Sequence, residues 1–221
     1  MVSESAVNTF SIVAFDPASG DLGIAVQSRY FAVGTVVPWA RAGVGAVATQ
    51  AMAKTSYGPG GLAAMANGKS AADALAELVS ADPRLAVRQV AFLDAKGNVA
   101  VHTGKECPNW AGHRAGEDFA VQGNLLAGEE VITAMADAFT KARARGESEL
   151  AEWLLAALEA GQGAGGDRRG QQSAALLVVR DTAGLAGEND RYIDLRVDDH
   201  REPIRELRRL LSLHRKFHPQ Q

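Results

Sequence analysis

Paired strands interrupted by paired helices are the feature that most constrains this chain. Residues 10–14, the turn-rich Asp16-Pro17-Ala18-Ser19-Gly20-Asp21 and residues 22–27 read as a hairpin. A second pair reads over 35–37 and 43–50. Its last strand is dominated by Gly43, Gly45, Ala46 and Ala48, which predicts that another backbone packs close against it. Two helices follow, one over 61–66 and one opened by Ser70 as N-cap, with Ala74, Leu75, Leu78 and Val79 on one face. Asp82-Pro83 stops the second. Residues 87–93 and 99–102 predict another hairpin with Lys96-Gly97 at its tip, and 104–116 read as a loop before a short strand at 119–123. Two longer helices come next, over 128–143 and 147–160; Leu150, Trp153, Leu154, Ala157 and Leu158 form an apolar stripe on the latter. The glycine-rich 161–170 leads into an apolar strand at 174–179, then a strand at 192–197 and a basic helix from Pro203 to His214. Hairpins separated by helix pairs demand antiparallel sheets covered by helices, not a Rossmann alternation. No internal repeat or linker appears, so the reading is one domain.

Composition narrows the function classes. With 23 basic against 26 acidic side chains and a net charge of −3, nothing argues for nucleic acid or a membrane surface. Cys107 is the sole cysteine, so no intrachain disulfide can form. The opening MVSESAVNTF has neither a basic nor an apolar region of the secretory kind, and no apolar run is long enough to span a bilayer. The expected setting is cytoplasmic.

Several residues are candidates for chemistry. Thr9 heads the first strand. A threonine there is ordinarily a strand former, yet as a new N-terminus it supplies a nucleophilic hydroxyl and, in its own α-amine, the base. Arg168 and Arg169 stand adjacent in the loop Gly165-Gly166-Asp167-Arg168-Arg169-Gly170, where guanidinium groups hold a carboxylate or phosphate, or simply pair with Asp167 in a solvated turn. The spacing is not a P-loop. Asp198-Asp199-His200 offers metal-ligand types, but neighbours on a strand point to opposite faces, and a strand end before a helix cap explains it better. Asn124 closes a strand as a cap or as a site amide. Cys107, beside Pro108 and Trp110, reads as a buried small residue. Arg205, Arg208, Arg209, Arg215 and Lys216 read as a solvated helix face. Leu207, Leu210 and Leu211, interleaved among them, suit docking on another subunit.

Beyond these local readings, "TFSIVAFDPASGDLGIAVQSRYFAVG…RAGVGAVATQA" resembles a largely bacterial family known as domain of unknown function 1028. Gln122-Gly123-Asn124, the block Ala164 to Leu176 and Asp194 to His200 match the same family, so the resemblance runs from Thr9 to His214. It implies an N-terminal-nucleophile (Ntn) hydrolase fold, a four-layer αββα sandwich. More distantly the chain resembles proteasome β-subunits, which implies Thr9 as nucleophile, Gly43 or Gly45 as oxyanion donor, and Asp167 with Ser173 as orienting partners. Departures from that pattern are Gln27 in place of an aspartate, no lysine between Arg29 and Gly45, and eight residues ahead of Thr9, so cleavage at Asn8-Thr9 is required.

The expectation is therefore an amidohydrolase acting on a small anionic amide, with Arg29, Asn124, Arg168 and Arg169 binding substrate, no cofactor, no metal, and a homo-oligomeric assembly. The alternative is a non-catalytic protein for binding small anions or for assembly on the same fold. A metal-assisted hydrolase using Asp198 and His200 is a third reading.

Overall fold

In the computed structural model, which describes residues 6–146 and 149–218, ten strands form two antiparallel sheets. The strands are β1 (Thr9–Phe15), β2 (Leu22–Ser28), β3 (Pro38–Arg41), β4 (Gly45–Ala51), β5 (Arg88–Asp94), β6 (Val99–Thr103), β7 (Gly112–Gly116), β8 (Phe119–Gly123), β9 (Ser173–Val179) and β10 (Arg191–Val197). One sheet has the order β10-β9-β2-β1-β8-β7, the other β3-β4-β5-β6. Helices α1 (Tyr57–Ala66) and α2 (Ala71–Ser80) cover the smaller sheet, and α3 (Glu130–Ala144), α4 (Leu150–Gly163) and α5 (Pro203–Phe217) cover the larger. The result is the expected αββα sandwich.

Strand alternation builds three cores. Phe10, Ile12 and Ala14 of β1 face α3 and α4 with Leu154, Phe139 and Leu158, while Val13 points between the sheets with Ile24, Ala46, Ala48 and Leu93. Val47, Val90 and Phe92 meet Tyr57 and Leu75 on the far side. Because both faces of β1, β2, β4, β5 and β9 are covered, these strands are buried at almost every residue. The close approach predicted along β4 is present: a Cβ on Gly45 would lie 2.5 Å from the Leu93 carbonyl oxygen.

Several boundaries differ from the sequence reading. The stretch 33–35 is a 3₁₀ turn and the strand follows it at Pro38–Arg41. Helix α1 starts at Tyr57, ahead of Pro59, because proline is tolerated in a first helical turn. Residues 112–116, read as loop, form the edge strand β7. Ser70 caps α2 as expected, accepting from the Asp73 N–H at 3.1 Å. The helix expected over 147–160 runs from Leu150 to Gly163; Glu147 and Ser148 lie outside the described residues, as do Met1 to Ser5 and 219–221. Arg208 and Arg215 are not a solvated face: they pair with Glu149, Glu152 and Glu159 and clamp α5 onto α4. No helix among the described residues is long and apolar enough to cross a membrane.

The exit of β4 is fixed by a buried ion cluster. Asp82, almost wholly buried, accepts from the Tyr57 hydroxyl at 2.7 Å and from Arg88 Nε at 3.1 Å, and Arg88 Nη1 donates to the Met52 carbonyl at 2.5 Å. Burial alone raises the Asp82 carboxyl. The Arg84 N–H, the Tyr57 hydroxyl and Arg88 outweigh it and hold its pKa at about 2 against 3.8. This stabilisation is complete above about pH 4 and is lost as pH falls through about 2, roughly 2 kcal/mol in all. Asp82→Asn should remove that part of the acid dependence in denaturant titrations at pH 2 to 5; an unchanged slope would show that the carboxylate is not what responds.

Candidate active site

The chain enters at the seam between the sheets. Val7 pairs with Ala51 at the end of β4, with N–H···O distances of 2.7 and 3.0 Å, and Thr9 two residues later pairs with Ser28 of β2. Asn8 is thus the crossover from one sheet to the other. Its carbonyl oxygen accepts the Ser28 hydroxyl at 2.6 Å and Arg169 Nη2 at 2.9 Å. The Thr9 hydroxyl turns back along the chain and donates to the Val7 carbonyl at 2.9 Å. Asn8 and Thr9 are both buried, Thr9 completely.

Arg169 is held in place by the glycine loop after α4. Asp167, whose side chain is fully buried, takes Arg169 Nη2 at 2.6 Å and Nε at 3.0 Å as a two-point pair, plus the Arg169 N–H at 2.9 Å and the Arg29 N–H at 3.3 Å. The loop reaches this shape through Gly166, which has φ +55° and whose Cβ would meet Gln162 Oε1 at 2.8 Å. Backbone bonds from Arg168 to Leu125 and from Ala127 to Gly166 tie the loop to the end of β8.

A layer of buried amides lies beneath Thr9, between the sheets. Gln50 Nε2 donates to Gln89 Oε1 at 2.9 Å and to the Thr9 carbonyl at 3.4 Å, and Ser11 donates to Gln50 Oε1 at 2.6 Å. Asn124 gives its N–H to the Thr9 carbonyl at 3.0 Å and its Nδ2 to Gln89 Oε1 at 2.8 Å. Gln89 Nε2 reaches Thr103, whose hydroxyl meets His113 Nδ1 at 2.9 Å, so the network runs out to the surface.

The sequence-predicted residues divide in two. Thr9, Arg169, Asp167 and Asn124 come together, Asn124 as a support beneath Thr9 and not as a surface that substrate can touch. Ser173 does not join them. It lies in the row Thr9–Ser28–Ser173, two strands from Thr9 and thus about 10 Å away. Its hydroxyl donates to the Tyr30 carbonyl and accepts from the Val33 N–H. Gly45 opens β4 and Gly43 lies in the turn before it, so both are about 20 Å or more along the chain from Ala51, the residue that meets Val7. The two side-chain contacts to the Asn8 carbonyl come from Ser28 and Arg169. Arg168 is exposed beyond the loop, and Arg29 lies at the surface with Nη1 on the Arg169 carbonyl at 2.7 Å.

The other candidates are structural in setting. Cys107 is buried with its thiol on the Arg88 carbonyl at 3.3 Å, and burial pushes its pKa up, away from thiolate reactivity. Asp199 accepts from Gln172, and His200 Nδ1 accepts the Glu202 N–H, as in a helix entry. Among the described residues no three His, Cys, Asp or Glu side chains gather as a metal-binding group.

The arrangement polarises one particular peptide bond. A hydroxyl and a guanidinium on one carbonyl oxygen are the kind of contact that stabilises negative charge there. Comparisons with known proteins agree on kinship. The model of a family of unknown function, DUF1028, matches residues 9–207. The crystal structure of a DUF1028 protein from Silicibacter pomeroyi is similar with a TM-score of 0.83 at 32% identity, covering 94% of this chain and 89% of that one. No match was found among curated proteins.

Proposed function

We propose that this chain, which belongs to the DUF1028 family, is the precursor of an Ntn-type amidohydrolase that opens its own Asn8-Thr9 bond. The Thr9 Oγ adds to the Asn8 carbonyl carbon, the C–N bond breaks, and the Thr9 nitrogen takes the hydroxyl proton. A water molecule then hydrolyses the resulting ester, leaving an Asn8 carboxylate and a free Thr9 amine. That amine serves as the base when the Thr9 hydroxyl attacks a small anionic amide.

The observation that supports this most directly is the Asn8 carbonyl oxygen held between Ser28 Oγ and Arg169 Nη2, with the Thr9 hydroxyl turned back along the chain onto the Val7 carbonyl. Burial fits the sequence of events. Thr9 has no solvent exposure while Val7 and Asn8 cover it, so one scission creates the base and uncovers the nucleophile. Arg169 takes the place of the lysine that the proteasome pattern has and this chain lacks. No cofactor enters the scheme, and we propose a cytoplasmic, homo-oligomeric enzyme. The competing reading, a binding or assembly protein that is never cut, draws on the unbroken pairing of Val7 with Ala51.

Intact mass and N-terminal sequencing of purified protein decide between them. The hydrolase reading expects a species beginning at Thr9 that accumulates on storage and is absent from Thr9→Ala. A wild-type chain that stays uncut indefinitely would sink the nucleophile and leave binding.

A further inference from the structure

We infer that the surface groove beside the Thr9 end of the sandwich is a binding site for a zwitterionic ligand, an unblocked amino acid amide or short peptide carrying both carboxylate and ammonium. The groove has a volume of about 840 Å³, within the usual range for small-molecule sites. Arg29, Gln172, Asp199, His200, Arg201 and Glu202 line it, from the end of β2, the approach to β9 and the turn before α5.

Its floor is bonded to the residue that grips Asn8. The Gln172 N–H donates to the Ser28 carbonyl at 3.0 Å, the His200 N–H donates to the Gln172 carbonyl at 2.7 Å, and Arg29 Nη1 donates to the Arg169 carbonyl. A ligand in the groove is therefore one residue from both donors of the Asn8 carbonyl.

Charge pairing identifies the ligand class. Elsewhere Arg88, Arg143, Arg180, Arg208 and Arg215 each meet a carboxylate. Among the described residues neither the Arg29 nor the Arg201 guanidinium has a carboxylate within 4.0 Å; beyond the Arg29 Nη1 contact with the Arg169 carbonyl, both are left to meet a carboxylate brought by a ligand. His200 adds to this side: its Nδ1 accepts the Glu202 N–H, so the neutral ring carries its proton on Nε2 as a donor. Opposite in sign, among the described residues the Asp199 carboxylate has only the Gln172 amide at 3.2 Å and no cation, and the Glu202 carboxylate only the exposed Arg205 at 3.4 Å. A plain anion would face these two carboxylates. A ligand with an ammonium group satisfies both halves.

This names the substrate class of the proposed hydrolase and takes its catalytic meaning from that reading. Binding itself needs no nucleophile, so the test uses the full-length Thr9→Ala protein. Alanyl-alanine, its N-acetyl form, its carboxyl-terminal amide and sodium sulfate are titrated at matched ionic strength, followed by calorimetry and amide NMR shifts. The free dipeptide is expected to bind with shifts centred on Arg29, Gln172 and Arg201, and each blocked form to bind at least about tenfold more weakly. Arg29→Gln and Arg201→Gln should each weaken the dipeptide about tenfold, and Asp199→Asn should weaken it without changing the N-acetyl form. No saturable binding by about 10 mM, or equal shifts from sulfate, overturns the inference whether or not the wild-type chain is cleaved.

Discussion

Ser28→Ala is expected to slow scission of the Asn8-Thr9 bond by about 10²–10³-fold, the effect of deleting one preorganised oxyanion donor. In the proposed scission negative charge develops on the Asn8 oxygen as the Thr9 hydroxyl adds, and the Ser28 hydroxyl already stands 2.6 Å from that oxygen. Its contribution grows in the transition state and costs no reorganisation, because β2 fixes Ser28 in register with Thr9. The lost hydrogen bond costs about 1 kcal/mol of stability, too little to unfold the protein, so rate and fold separate cleanly. Arg169→Met removes the second donor and its charge, but it also strands the fully buried Asp167 carboxylate, so it is best read beside Asp167→Asn/Arg169→Met. Ser173→Ala is the internal control. Ser173 sits in the same cross-strand row, yet its hydroxyl serves Tyr30 and Val33, and the cleavage rate should not move. Intact mass against time, with melting temperatures alongside, gives all four results. Equal rates for wild type and Ser28→Ala would falsify the oxyanion role of Ser28 and leave Arg169 as its only candidate.

The order of strands and helices was legible because hairpin turns and helix stripes are local patterns. Their arrangement across layers was much less so. In strands buried on both faces, polar–apolar alternation disappears, so Thr9–Phe15 reads as a uniform strand although Phe10 and Ile12 face helices while Ser11 and Val13 face the other sheet. Edge strand β7 was missed for the opposite reason: Gly112-His113-Arg114-Ala115-Gly116 is polar and exposed.

The site was half legible. Thr9, Asp167 and Arg169 stood out by chemistry and by family resemblance. Ser28 does not stand out, since its place follows from cross-strand register with Thr9, which sequence spacing does not display. Register also explains Gly43 and Gly45: in the antiparallel pairing it is Ala51, at the other end of β4, that meets the chain before Thr9. Gln50, Gln89 and Gln122 are long amides lying at or near the ends of otherwise apolar strands, and buried amides there have to find one another.

Those amides give the second large effect. Gln89→Leu, nearly isosteric, is expected to destabilise the protein by about 4 kcal/mol, a fall in melting temperature of about 8–16 °C. Gln89 is fully buried and lies at the junction of four strands. Its Nε2 reaches the Gly123 carbonyl at 2.9 Å, Thr103 Oγ1 at 3.0 Å and the Gly112 carbonyl at 3.1 Å, while its Oε1 takes Gln50 and Asn124. Leucine fills the space but leaves two side-chain amides and two backbone carbonyls without that partner in a buried layer. Each such group costs about 1–3 kcal/mol, and local relaxation keeps the total below the sum. The same change reaches the reaction, because Gln50 and Asn124 are the groups that hold the Thr9 carbonyl. Slower scission should therefore accompany the lower stability, whereas a surface change of equal thermodynamic cost, made far from the seam, should leave the scission rate alone. If Gln89→Leu proves as stable as wild type, the polar layer is replaceable by hydrocarbon. The seam at Asn8 would then be held by β1–β2 pairing and the Asp167–Arg169 loop without help from below.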